Sequence, residues 1–171
     1  TVTGAGAYVL MSDGNGPHIA GVMPGRSVER GIDDANNMGA AMAPAVIDTL
    51  TRYFTQTGTS PSDYDLIATG DLGVEGHGIV SELMKNEGYD MGENYSDCGM
   101  LIYDIEKQDM HAGASGCGCS AVVLAASLLE RIKCGELSDI LFIGTGALMN
   151  PMSVQQGQAI PGIAHLVRIK K

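Results

Sequence analysis

The chain has 171 residues, 44% of them hydrophobic, and a formal net charge of −10. That length and apolar content suffice for one domain with a sizeable core and exclude a disordered chain. The excess of acid disfavours nucleic acid, whose phosphates it would repel, and leaves no polybasic patch for an anionic membrane surface.

Gly supplies 24 residues and Phe only 2, with no Trp. The core is therefore expected to consist of small and aliphatic side chains, with helices packed closely on a sheet and joined by tight loops. The 4 Cys stand at 98, 117, 119 and 134. Cys119 and Cys134 bracket a predicted helix and cannot pair with one another, so the thiols read as reduced and the setting as intracellular. The strongest apolar run, residues 121–129, is too short to span a bilayer, and the sequence shows no signal-peptide or lipidation pattern.

Residues 7–11 read as a strand. Residues 12–17 (SDGNGP) carry turn chemistry, and 18–23 read as a second strand, which predicts an antiparallel hairpin. A chain that enters a strand without a polar lead-in is expected to be a fragment or a cleavage product. Residues 24–39 are polar and irregular. The first long helix is predicted over 40–56: Pro44 suits its first turn, and Val46, Leu50, Tyr53 and Phe54 share a face. Residues 65–69 read as a short strand, 70–78 (GDLGVEGHG) as a flexible loop, and 79–86 as a second helix that stops at Gly88. Residues 94–97 read as loop, and 100–103 as either a short strand or a turn of helix.

Residues 111–149 form the stretch around which the rest is organised. A turn of small residues, with Gly113, Ser115, Gly116 and Gly118 alternating with Ala114, Cys117 and Cys119, leads into a predicted buried helix. Leu124, Leu128, Leu129 and Ile132 fall at helical spacing in it. Gly135 closes the helix, since a glycine just past the last turn accepts the left-handed backbone conformation. Residues 140–143 read as a strand buried on both faces, bounded by a second glycine-rich turn from Gly144. A turn of this kind at a helix start presents N–H groups able to hold an anion or an oxyanion. Residues 150–161 read as loop and 163–169 as a terminal strand. Helical crossovers predict parallel pairing for the inner strands, which the opening and closing strands do not fit. The expected fold is α/β: a three-layer α/β/α unit around a mixed five-stranded sheet, with residues 1–171 as one domain.

Five strings carry a resemblance: residues 4–10 (GAGAYVL), 36–45 (NNMGAAMAPA), 63–73 (DYDLIATGDLG), 111–120 (HAGASGCGCS) and 144–149 (GTGALM). Through them the chain resembles the C-terminal half of a thiolase-fold protein, and specifically the stage V sporulation protein AD family. The resemblance implies a fold of two similar halves, of which this is the second. The first half would hold the position of the nucleophilic Cys of thiolases and ketosynthases. It also implies a role in bacterial sporulation, namely binding dipicolinic acid (pyridine-2,6-dicarboxylate), as such or with calcium, and aiding its uptake into the developing spore. The partners implied are the missing N-terminal half, other stage V sporulation membrane proteins at the inner spore membrane, and a second copy in a homodimer. No cofactor and no nucleic acid are expected.

Thiolase or ketosynthase chemistry needs a thiolate, a His or Asn pair and an oxyanion hole. The resemblance places one His of that set in the loop after residues 65–69. This chain has Asp71 there, followed by Gly73 and Glu75, with His77 further on. It places another His or Asn in the region of His111 and Ser115, and a second Cys where Thr145 stands. An acid in place of a base, and no Cys in the third loop, weaken a condensing-enzyme reading. The candidate ligand-binding set is thus Asp71, Gly73, His77, His111, Gly113, Ser115, Gly116, Cys117 and Thr145, with no catalytic and no metal residue assigned. His111 either orients a carboxylate ligand or serves the backbone as a cap. Cys117 and Cys119 lie too close together for a metal pair and read as small buried thiols. Asp71 and Glu75 are too few to claim calcium. Arg26 and Arg30 carry the guanidinium fork that matches carboxylates, though a solvated loop or contact with the missing half explains them as well. His18 and His165 are expected to be packed, and the small segment 39–45 lets another helix or subunit approach. The two other readings are a thiolase- or 3-oxoacyl-synthase-like acyl-transfer enzyme and a structural dimer platform for a spore membrane complex.

Overall fold

In the computed structural model, residues 2–113 and 116–171 are described, so the candidate Ser115 lies outside the described residues. Five strands form one mixed sheet: β1 (His18–Met23), β2 (Leu66–Thr69), β3 (Tyr95–Asp97), β4 (Asp139–Ala147) and β5 (Gly162–Lys170). Their spatial order is β1-β5-β4-β2-β3. β2 pairs in parallel with both β3 and β4, while β5 runs antiparallel between β4 and β1. The mixed five-stranded α/β sheet expected from the sequence is therefore present.

Successive residues of β4 serve two cores, as the two-residue period of a strand requires. Leu141 and Ile143 pack with Ile67 and Leu166 against Val46, Leu50 and Phe54 of α1 (Met38–Thr57) and Val80 and Met84 of α2 (Gly73–Asn86). Ile140 and Phe142 face the other way with Leu66 and Ile169, onto Val123, Leu128 and Ile132. Each such side chain, fully buried, contributes about 1.5–3 kcal/mol of hydrophobic stabilisation. The segment 39–45 does receive a close neighbour, but within the chain: a Cβ added at Gly39 would stand 2.1 Å from the Leu72 carbonyl oxygen, and one at Gly76 would stand 2.9 Å from the Gly39 backbone.

The helix predicted after the 111–118 turn is there and is not regular. It runs as α4 (Cys119–Val123), a π turn (Leu124–Leu128) and α5 (Leu129–Cys134), with helical backbone at each junction. Its buried residues, Cys119, Val123, Leu128 and Ile132, are spaced four, five and four apart. The π turn absorbs the five-residue step and keeps all four on one face. Gly135 ends it in the left-handed conformation, φ 84°, as predicted.

Several boundaries differ from the sequence reading. Residues 7–11 form no strand; Val9 and Leu10 are 88% and 77% exposed, and Tyr8 instead donates a hydrogen bond to the Ala121 carbonyl. β1 consequently pairs with β5 rather than in a hairpin. Pro44 lies inside α1, in its second turn, because the helix opens two residues earlier at Met38 with Asn37 as its cap. The flexible loop expected over 70–78 shrinks to three residues, since α2 begins at Gly73. Residues 95–97 are a strand, and α3 (Cys98–Leu101) resolves the ambiguous stretch after it as helix. Gly144, Thr145 and Gly146 continue β4 against β5 instead of turning, and α6 (Pro151–Gln155) interrupts the expected loop. His18 and His165 are exposed, not packed, and the His165 ring accepts a bond from the Gly25 N–H.

Candidate functional site

Three chain segments converge where β2, β3 and β4 end. Asp97, the last residue of β3, organises them. Its carboxylate is wholly buried and accepts four hydrogen bonds: from Thr69 Oγ1 at 2.7 Å, Leu72 N at 2.8 Å, Gly73 N at 3.0 Å and Gly99 N at 2.9 Å. One side chain thus caps α3, holds the start of α2 and closes the tip of β2. Two of the donors are N–H groups at helix starts, where a negative charge is favoured. These four donors fill the acceptor sites of the Asp97 carboxylate from within the fold.

The turn after β2 is held from two further directions. Asp71 N donates to Thr145 Oγ1 across the sheet at 3.3 Å. Val74 N donates to the Ala112 carbonyl at 2.6 Å, which draws the 111–113 turn onto α2. Gly73 permits this approach: its φ is +64°, and a Cβ there would stand 2.2 Å from the Ala112 oxygen.

Asp71 sits among these loops with its Oδ1 buried and without a hydrogen-bond partner among the described residues. Burial, and then the charge of Asp97, push its carboxyl up to about 7. The Gly116 backbone, favouring the charged form, works against this shift. Cys98 and Cys119 are buried nearby; burial foremost, with Asp71 and Asp97 adding to it, pushes Cys119 up to about 12 and Cys98 strongly upward too. Both thiols are therefore protonated at neutral pH and are poor nucleophiles.

The structure accordingly brings Asp71, Gly73, Gly113, Gly116 and Thr145 into one place. It does not bring the others there. His77 is one turn into α2, stacked on Tyr95 at 4.3 Å between ring centroids and within 3.3 Å of the Tyr95 carbonyl. His111 is 84% exposed and paired loosely with Asp109 at 3.6 Å. Cys117 is exposed, contrary to the expectation of two buried thiols, whereas Cys119 is buried. Arg26 and Arg30 are exposed, and Arg30 lines a groove between α1 and α2 remote from Asp71.

A family model for stage V sporulation protein AD (SpoVAD) matches residues 1–170. The chain belongs to the stage V sporulation protein AD family. The "Stage V sporulation protein AD" of Bacillus subtilis (strain 168) is 42% identical over 165 residues, covering 96% of this chain and 48% of that protein. The chain thus spans about half the length of this curated family member. Among the described residues, no helix is long and apolar enough to cross a membrane.

The organising residue that sequence reasoning missed is Asp97. Its signal was available: an Asp followed by Cys98 and Gly99 before an apolar turn is N-cap chemistry. The stretch was read as loop because β3 is only three residues long, too short for any period to show.

Proposed function

We propose that this chain forms one wall of a pocket that binds dipicolinic acid, or its calcium chelate, during sporulation. The observation that carries this reading is the Oδ1 of Asp71, buried and without a hydrogen-bond partner among the described residues, beside the 70–73 turn, Ala112, Gly113, Gly116 and Thr145. Folded proteins pair nearly all buried polar atoms, so an orphan such as this one is open to a partner that a bound ligand can supply. The family membership supports a sporulation role, and the protonated state of Cys98 and Cys119 argues against either as an acyl-accepting thiolate. Asp71, Gly73, Gly113, Gly116 and Thr145 are the residues assigned to this wall. Ser115 remains part of the proposed turn on sequence grounds. Titration calorimetry of the full-length protein with dipicolinate tests the reading: saturable heat is expected, and no heat at saturating ligand would overturn it.

The opposite wall is assigned to the N-terminal half implied by the family's longer members. A groove of about 730 Å³, lined by Tyr8, Leu124, Leu129, Phe142, Val167 and Ile169 among others, marks where it would pack. Produced alone, the chain is expected to self-associate through this apolar face. Light scattering that shows a monodisperse monomer would contradict the assignment. A homodimer of the complete protein and an association with stage V membrane proteins at the spore's inner membrane belong to the same proposal.

A further inference from the structure

A dianionic ligand and an acidic pocket are at odds. Of the two acids at this site, Asp97 has its acceptor oxygens filled by four donors within the fold, and its charge still works against a second one at Asp71. Asp71 has no such set among the described residues: its backbone N–H is spent on Thr145, its Oδ1 has no partner, and the Gly116 backbone is the one hydrogen-bonding group that favours its charged form. An ionised Asp71 would face a ligand carboxylate oxygen to oxygen and repel it. A protonated Asp71 has one O–H to give, and an O–H to carboxylate bond is among the stronger kinds.

Resting on the pocket reading above, we propose that Asp71 selects the ligand as a neutral acid, donating its carboxyl proton to a ligand carboxylate. Binding is thereby gated by protonation of this one residue. The groups that face Asp71 are consistent with that role. Asp97 at the end of β3 opposes its ionisation, Cys98 of α3 and Cys119 of α4 are uncharged thiols, and the Gly116 backbone pulls the other way. The Thr145 hydroxyl on β4 carries no charge.

The sign follows from the direction of the shift. Asp71 titrates near 7 instead of 3.8, so it holds its proton below about pH 7 and loses it above. The ligand's carboxyls stay ionised throughout that range. Affinity is therefore flat on the acid side of 7 and falls by about tenfold per pH unit on the alkaline side. Ionised Asp71 ligating calcium within a chelate would give the opposite slope.

The test is calorimetric titration of the full-length protein with dipicolinate from about one pH unit below 7 to one above, without calcium and with it. The wild type alone decides the sign, and Asp71→Asn, whose amide donates at any pH, should bind with no pH dependence across the window. Wild-type binding that is equally tight on both sides of 7 would overturn the proton donation and leave the pocket standing. Affinity that rises with pH in the presence of calcium would do the same. Absence of binding at every pH would remove the pocket reading and this inference together.

Discussion

Replacing Asp97 with Ala is expected to lower the unfolding free energy of the full-length protein by at least about 3 kcal/mol. The substitution removes the acceptor of three backbone N–H groups and the Thr69 hydroxyl in a place where the side chain is wholly buried. Each buried donor left without a partner costs about 1–3 kcal/mol, and water entering the space relieves only part of that. Three segments lose their common anchor at once: the tip of β2, the start of α2 and the start of α3. Asp97→Asn keeps one accepting oxygen and should fall between wild type and Ala. Denaturant unfolding measures this as a lower midpoint at unchanged slope. A loss under about 1 kcal/mol would mean that Asp97 is not the anchor.

Gly73→Ala is the second large effect. An Ala at a φ of +64° meets the left-handed penalty of roughly 1–2 kcal/mol. Its Cβ would also stand 2.2 Å from the Ala112 carbonyl oxygen, so the 111–113 turn must move off α2, at a further overpacking cost of about 1–3 kcal/mol. The expected sum is at least about 2 kcal/mol of stability and, on the proposed pocket reading, weakened dipicolinate binding, since the turn that moves would form part of that wall. The same unfolding measurement, paired with calorimetry, separates the two consequences. Near-wild-type stability and affinity would show that the two loops are not coupled through Gly73.

The parts legible in the sequence are those with a long period or a strong cap. α1, β4, β5 and the helix after the 111–118 turn announced themselves through runs of Val, Ile and Leu at fixed spacing, and Gly135 marked an end. The parts that were not legible depend on tertiary partners. Residues 7–11 have the composition of a strand, yet the segment leaves the outer edge of β1 unpaired and lies instead along the helix of α4 and α5, where Tyr8 is held by the Ala121 carbonyl. Gly73, Gly76 and Gly78 suggested a flexible loop. The segment is helical because the Asp97 carboxylate captures its first N–H groups and because Gly76 lets α2 approach α1 closely. The π turn was invisible to a fixed helical period, since it changes that period within the helix.

At the site, Asp71, Gly73 and Thr145 are named through the family resemblance, which places Thr145 in a loop; the fold keeps it within β4 and still brings it to Asp71. His77 and His111 were chosen for their chemistry and fail on geometry: one is stacked on Tyr95, the other points to solvent. Asp97 was missed because its function is collective. No residue type or spacing states that one carboxylate will serve three segments 24 to 28 residues apart or adjacent in sequence.

On the proposed reading, Asp71 meets the ligand directly. The direct measurement is dipicolinate calorimetry below pH 7, where Asp71 carries its proton, comparing the full-length wild type with Asp71→Ala. Saturable binding by the wild type, weakened about tenfold or more by loss of the donor, is the predicted result. Equal affinity in the two proteins would contradict it and place the ligand elsewhere.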